Sequence, residues 1–304
     1  MNRRPLARCL AALALICAGW IVGAQDLALP HAAASVKFAV IGDSGTGDRR
    51  QREVADQLLR VHGTFPFADV LMLGDNIYGA QGGRNFETKF AQPYKGLLDA
   101  GVTFHAALGN HDSLDNRLYP AFHMGGQRYY TFSIKNVRFF VLDTDELDPK
   151  QRAWFEEALK ASRDEWKICV FHHPLYSDGA THGSDVNLRV VLEPLLITYG
   201  VSVVFSGHDH IYERLRPQKG VQYFVAGSAG SLRTGDLRRS ATTAAGFDQD
   251  NVFMLVEVLA GDLWFQAVSR TGQLVDSGTL HPPASPPADR RHGPSVGLEP
   301  RMAR

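Results

Sequence analysis

The chain has 304 residues, of which 44% are hydrophobic and 21% charged, and this composition excludes a disordered or fibrous protein. Lysine plus arginine and aspartate plus glutamate both number 32, so the formal net charge is zero and there is no basic excess for binding nucleic acid. The twelve histidines are numerous for this length, and their positions in the sequence indicate whether they form a functional site.

The first 24 residues have the pattern of a secretory signal peptide. Three arginines precede an apolar run over 10–24, which ends in small residues suited to signal peptidase. The run is shorter than the ~20 residues that a membrane-spanning helix needs, so an uncleaved anchor is the less favoured alternative. We therefore expect an exported protein, periplasmic or secreted. After cleavage Cys169 is the single remaining cysteine, which excludes an intramolecular disulfide.

The C-terminal end, residues 281–304, is rich in proline, glycine and arginine and has no apolar period. We expect a disordered tail there. The folded domain is then expected over 35–280, without an internal linker or repeat.

The first half of that domain alternates between predicted strands and helices. The pattern predicts strands at 36–41, 69–73 and 102–108, a helix at 48–61 and helical pieces over 85–100 that are interrupted at Pro93. Such alternation favours a parallel sheet with helices on both faces.

The second half changes character. A hairpin is predicted from 128–134 and 137–142, followed by helices at 149–162 and 186–199, strands at 166–171 and 201–205, and four antiparallel strands at 221–226, 252–258, 263–268 and 273–280. Taken together, the elements predict an α/β fold of two mixed β-sheets, packed as a sandwich and flanked by helices.

Five of the predicted strands end in polar clusters. Their candidate ligands, in chain order, are Asp43, Asp75 with Tyr78, Asn110, His172, and His208 with His210. Ligands of open α/β sheets bind beyond the carboxyl ends of the strands, so these side chains are expected to converge. Each cluster alone would pass for a turn or a helix cap, and the strength of the signal is its fivefold recurrence.

Carboxylate, phenolate, amide and imidazole groups are ligands for hard to borderline metal ions. The set contains no thiolate, which excludes a structural zinc finger. Seven ligands are too many for one small ion, whereas two ions that share a carboxylate would use them all. Two metals ~3.5–4 Å apart can clamp a phosphoryl group and activate water.

At these residues the chain resembles the calcineurin-like metallophosphoesterases. The matching motifs are GDSG at 42–45, GDNIY at 74–78, GNHD at 109–112, VFHH at 170–173 and GHDH at 207–210. The tyrosine in GDNIY is similar to that of the purple acid phosphatases, in particular the small tartrate-resistant type. The resemblance spans about 38–280 and implies the four-layer metallophosphoesterase fold.

The resemblance implies a ligand set for two metals. Fe(III) would be held by Asp43, Asp75, Tyr78 and His210, and a divalent Fe, Zn or Mn by Asp75, Asn110, His172 and His208, with Asp75 bridging. The valine in VFHH is offset by one residue from the family pattern. His173 therefore stays an alternative to His172, although Pro174 favours His172.

The resemblance also implies an acid phosphatase that hydrolyses phosphate monoesters. His111 and His182 would face the phosphate and the leaving group, and Asp112 would hold the His111 ring. The expected partner is a small phosphorylated substrate. No nucleic acid, no stable membrane partner after signal cleavage, and a monomeric state are expected.

Two alternatives stay open at this point. The first is a phosphodiesterase or nucleotide hydrolase on the same site, because substrate choice would lie in the loops at 79–84, 114–128 and 227–246. The second is a non-catalytic exported protein that binds metal or phosphate. Retention of His111 and Asp112 argues against the second, since a binding protein needs no leaving-group histidine.

Overall fold

The computed structural model describes residues 29–281. The predicted signal peptide, and all but the first residue of the predicted tail, lie outside the described residues and stay predictions. Within that part, thirteen strands and five α-helices follow one another along the chain. No helix in the same range is long and apolar enough to cross a bilayer.

The first half has the predicted strand and helix order. It contains β1 (Val36–Ile41), α1 (Arg49–His62), β2 (Asp69–Met72), α2 (Gly83–Phe86), a π-helical turn (Glu87–Ala91), α3 (Lys95–Asp99), β3 (Thr103–Ala106) and two 3₁₀ turns, Leu114–Leu118 and Pro120–Phe122. Helix α1 begins where the Asp48 side chain accepts a hydrogen bond from the Gln51 N–H at 3.0 Å, an N-cap. The segment before β3 is helical in pieces, as predicted.

The second half adds two strands that the sequence did not predict. Its elements are β4 (Tyr130–Ile134), β5 (Val137–Val141), α4 (Pro149–Ala161), β6 (Trp166–Val170), α5 (Val186–Thr198), β7 (Val203–Ser206), β8 (Tyr212–Leu215), β9 (Gln222–Ala226), β10 (Thr243–Phe247), β11 (Val252–Leu259), β12 (Asp262–Ser269) and β13 (Leu274–Leu280). The unpredicted pair is β8, which is short and carries two charged residues, and β10, which contains small residues and glycine.

The strands form two mixed sheets. The first has the order β13-β12-β11-β1-β2-β3, with β1, β2 and β3 parallel. The second has the order β10-β8-β9-β7-β6-β5-β4. Strand β9 was expected to be antiparallel, and this is wrong for its pairing with β7, which is parallel. The reason is β8, which reverses the chain and pairs with β9 on the outer side, so that β9 lies between β8 and β7.

Three apolar layers hold the sheets and helices together. One lies between the two sheets and includes Phe38, Phe139 and Phe205, while the other two lie under the helices on the outer faces. The predicted sandwich with helices outside is therefore confirmed. The narrower expectation of helices on both faces of the first sheet is wrong, because one of its faces packs against the second sheet.

The two sheets bring their parallel strand ends together. The main-chain N–H of His208, after β7, donates to Asp43 Oδ2, after β1, at 2.9 Å. Nδ1 of His172, after β6, donates to the carbonyl of Leu73, after β2, at 2.9 Å. The loops that follow the parallel strands of both sheets thus meet at one edge of the sandwich.

Candidate metal centre

The first group of candidate ligands comes together after β1, β2 and β7. Ligand atoms of Asp43, Asp75 and His210 lie within 4.8 Å of one another. The Tyr78 hydroxyl joins them, 3.2 Å from Asp43 Oδ1 and 3.0 Å from His210 Nε2. Asp43 and Asp75 are fully buried, so this is an enclosed cluster of oxygen and nitrogen donors.

The second group lies beside the first. His172 Nε2 is 3.0 Å from Asn110 Oδ1, 3.1 Å from His208 Nδ1 and 3.5 Å from Asp75 Oδ1. Because His172 donates its Nδ1 proton to the Leu73 carbonyl, its Nε2 keeps a free lone pair on the side that faces the other ligand atoms of this group. Asp75 therefore lies between the two groups.

His173 is also close to the second group, with a ring nitrogen within 4.8 Å of those of His172 and His208. However, its Nδ1 is 3.0 Å from the Thr144 hydroxyl, and its main-chain N–H donates to the same hydroxyl at 3.1 Å. His172 is fully buried and faces both Asn110 and Asp75. The geometry thus favours His172 over His173 as the ligand.

The backbone at three of these residues is unusual. Asp43, Asp75 and His208 have φ values of +54°, +52° and +70°, in the left-handed region that residues other than glycine rarely adopt. Such conformations cluster at functional sites, where the surrounding structure maintains them. Gly207 precedes His208 because a Cβ there would lie 2.4 Å from Asp43 Oδ2. The glycine that precedes the candidate ligand in each of four motifs, at Gly42, Gly74, Gly109 and Gly207, is therefore required because a Cβ there would clash with a neighbouring atom.

The electrostatics of the cluster suit a cation. Burial and the neighbouring Asp75 carboxylate raise the pKa of Asp43 well above its ordinary value. Burial lowers the pKa of His172, and lowers those of His208 to about 2 and of His210 to about 4. The imidazoles are therefore neutral and free to donate lone pairs, and a bound cation would reverse the shift at Asp43.

The donor set fits the metals that the resemblance implies. It offers carboxylate, phenol, amide and imidazole groups, and the one cysteine in the described range, Cys169, is a buried free thiol that takes no part in either group. Oxygen and nitrogen donors of this kind suit iron, zinc and manganese.

His111 and His182 lie on the solvent side of the cluster, and both are exposed. The His111 ring packs against Tyr78 with centroids 4.8 Å apart, and the His182 ring against His208 at 4.1 Å. His182 and His208 also line a cavity of about 460 Å³. One exposed imidazole therefore lies beside each of the two ligand groups.

The hydrogen-bond partners of Asp112 differ from the expected one, the His111 ring. Its carboxylate accepts hydrogen bonds at 2.8–3.1 Å from the N–H groups of Asn76, Ile77 and Gly109 and from the amides of Asn76 and Asn116. Within residues 29–281 none of its bonds goes to the His111 ring. The expectation that Asp112 orients His111 is thus corrected: it ties the loop after β2 to the loop after β3.

Two further buried acids support the site, and sequence reasoning missed both. Asp209 accepts from the Ser177 hydroxyl at 2.5 Å and from the Gly183 N–H at 3.1 Å, which fixes the loop that carries His182. Glu213 accepts from the Asp178 N–H and the Thr243 hydroxyl, both at 2.8 Å, and burial raises its pKa to about 7. The available signal for Asp209 was its position directly between the candidate ligands His208 and His210, whereas Glu213 lies in a short charged segment that gave no signal.

Comparison with known proteins agrees with this geometry. The sequence pattern of the calcineurin-like phosphoesterases matches residues 36–212, more than half of the chain, and the chain belongs to this family. It is thus a metallophosphoesterase, and the predicted resemblance and fold class are confirmed.

Its relatives include purple acid phosphatases. Tartrate-resistant acid phosphatase type 5 of Mus musculus is 26% identical over 279 residues, covering 75% of this chain and 85% of that protein. Purple acid phosphatase 17 of Arabidopsis thaliana is 27% identical over 241 residues, covering 67% and 71%. GAP50, described as the anchor in the inner membrane complex of Plasmodium, has a similar solved structure, with a TM-score of 0.71, 20% identity and coverage of 82% and 89%. That last likeness concerns the fold alone, so an assignment of function must rest on the site.

Proposed function

We propose that the chain hydrolyses phosphate monoesters at a binuclear centre of Fe(III) and a divalent Fe, Zn or Mn ion. The observation that carries the proposal is the place of Asp75. Its carboxylate belongs to the group with Asp43 and His210, and its Oδ1 is also 3.5 Å from His172 Nε2 in the other group. A carboxylate shared by two donor groups is what a pair of ions ~3.5–4 Å apart requires.

Each group supplies ligands for one ion. Asp43, Tyr78 and His210 would hold Fe(III), and Asn110, His172 and His208 would hold the divalent ion, with Asp75 shared. Burial and the carboxylates of Asp43 and Asp75 raise the pKa of Tyr78. A bound trivalent cation would oppose both causes and favour the phenolate.

When bound, such a metal pair stabilises charge on phosphoryl oxygens and lowers the pKa of coordinated water from ~15.7 towards ~7. The chain's own contribution is made by the two exposed imidazoles. His111 and His182 would neutralise phosphoryl charge and give a proton to the departing alkoxide. Burial and the charge of Arg233 lower the pKa of His182, so this imidazole carries a proton only in acidic solution, which supports an acid phosphatase. No covalent phosphoenzyme is needed.

Replacing the shared carboxylate tests this function. In Asp75→Asn we expect hydrolysis of p-nitrophenyl phosphate to fall by about 10³-fold or more and the metal content to drop, because both groups lose their common anion. Asp56→Asn, on the exposed side of α1, is the matched control and should match the wild type. Full activity in Asp75→Asn would overturn the proposal. Faster wild-type hydrolysis of bis(p-nitrophenyl) phosphate than of the monoester would assign a phosphodiesterase instead.

We also propose that the protein is exported and acts as a monomer on small phosphorylated substrates. The signal pattern of residues 1–24 supports export, and the absence of a basic excess offers no footprint for nucleic acid. N-terminal sequencing of the protein recovered outside the cytoplasm should begin after Ala24. A chain that keeps Met1 would contradict cleavage.

A further inference from the structure

Arg233 is a cationic residue at the candidate centre, and one of its guanidinium nitrogens has no hydrogen-bond acceptor in the described part of the chain. It lies in the loop 227–246, and its main-chain N–H donates to the carbonyl of the candidate ligand His210 at 3.1 Å. Its Nη1 atom is shielded from solvent and makes no hydrogen bond with residues 29–281. A buried guanidinium nitrogen without an acceptor is costly, so a partner is expected when the protein is at work.

This arginine is an exception within the described part of the chain. Every other half-buried arginine there donates to a carboxylate or carbonyl oxygen: Arg117, Arg128, Arg138, Arg189, Arg214 and Arg270. The half-buried arginines that support the fold thus all have a hydrogen-bond acceptor within the protein. The missing acceptor at Arg233 points to a ligand.

The charge of Arg233 lowers the pKa values of two histidines at the candidate centre. After burial, it is the largest cause that lowers the pKa of His182, and likewise of His210. His182 is the exposed imidazole beside His208, and His210 belongs to the Asp43 group. The guanidinium therefore lies within electrostatic reach of the solvent side of both groups.

We propose that Arg233 binds a non-bridging oxygen of the substrate's phosphoryl group and selects phosphate monoesters over diesters. This rests on the proposed function and adds the residue that gives the site its preference for monoesters. At about pH 7 a monoester carries nearly two negative charges, because its second pKa is ~6, whereas a diester carries one. A guanidinium attracts the doubly charged group more strongly than the singly charged one, because the Coulomb attraction grows with the charge on the phosphoryl oxygens.

Asp236 is the competing partner within the protein. Its Oδ1 accepts from the Thr181 hydroxyl at 2.5 Å, while its Oδ2 is buried without a partner. No ion pair within 4.0 Å joins it to Arg233 in the described range. If Arg233 served only Asp236, its loss would disturb the loop and affect both classes of ester alike.

The test compares Arg233→Met with Arg238→Met, an exposed arginine of the same loop, in the full metal-loaded protein. At about pH 7 we expect Arg233→Met to lower kcat/KM for p-nitrophenyl phosphate about 10- to 100-fold and to change that for bis(p-nitrophenyl) phosphate less than about threefold. Calorimetric binding of inorganic phosphate, which needs no turnover, should weaken about tenfold or more. Arg238→Met should match the wild type in all three measurements.

Each outcome decides between the claims. Equal losses for both esters, or no loss for either, would overturn the role of Arg233 while hydrolysis by the wild type stands. If the wild type hydrolyses neither ester and Arg233→Met still binds phosphate more weakly than the wild type, the proposed function would be overturned, whereas Arg233 would remain an anion ligand. Unaltered phosphate binding in Arg233→Met would overturn the proposal on its own.

Discussion

The variant Asp112→Asn distinguishes two roles for Asp112: as a clamp that holds two loops together, or as the residue that orients the His111 ring. Oδ1 accepts from Ile77 and Asn116, Oδ2 accepts from Gly109 and the Asn76 amide, and both accept from the Asn76 N–H. Whichever oxygen becomes an NH₂ group, two donors then face a donor. Each buried donor left without an acceptor costs about 1–3 kcal/mol, so we expect a loss of about 3 kcal/mol in the free energy of unfolding.

Urea titration and thermal melting monitor the effect. For a domain of this size the loss corresponds to a Tm lowered by about 6–12 °C. Metal content should fall as well, because the clamp fixes the loops that carry Asp75 and Asn110. Asp115→Asn is the control: its side chain is 80% exposed, and its stability should stay within about 0.5 kcal/mol of the wild type. Wild-type stability in Asp112→Asn together with a fall in kcat alone would refute the clamp and restore the role in orienting His111.

Three further predictions concern the site and its support. His111→Ala should abolish hydrolysis of p-nitrophenyl phosphate while both metals stay bound, and persistent hydrolysis would remove His111 from the mechanism. Gly207→Ala should release metal, since its Cβ would lie 2.4 Å from Asp43 Oδ2, whereas Gly83→Ala, where a Cβ meets nothing within 4 Å, should not. Burial raises the pKa of Glu213 to about 7, so the folded protein keeps a proton that the unfolded chain releases near pH 4.5, and stability falls as pH rises from about 4.5 to 7. Glu213→Gln should therefore flatten the fall in stability over that window, and an unchanged pH profile would contradict the burial of this acid.

The candidate ligands could be predicted from sequence because their cause is local. Each follows an apolar strand, and parallel strands of one sheet end at the same edge, so Asp43, Asp75 and Asn110 had to converge. Chain order also indicated two sheets, since a late run of antiparallel strands follows the early alternation of strands and helices.

The remaining features depend on contacts between distant parts of the chain. The parallel pairing of β9 with β7 follows from the position of β8, which is too short and too charged to be recognised as a strand. The bonds of Asp112 depend on the direction of its side chain, which residue spacing does not give. Arg233 is separated from His210 by 23 positions in sequence, and only the folded loop reveals that its buried Nη1 has no acceptor among residues 29–281.

The visible absorption spectrum of the purified protein, with metal analysis on the same sample, tests the binuclear iron centre most directly. The proposal predicts a broad band in the green-to-yellow region, about two metals per chain including iron, and loss of the band in Tyr78→Phe. A colourless protein with two zinc or manganese ions would contradict the Tyr78–Fe(III) assignment while keeping the phosphoesterase. A protein that binds no metal after iron loading would contradict the binuclear mechanism itself.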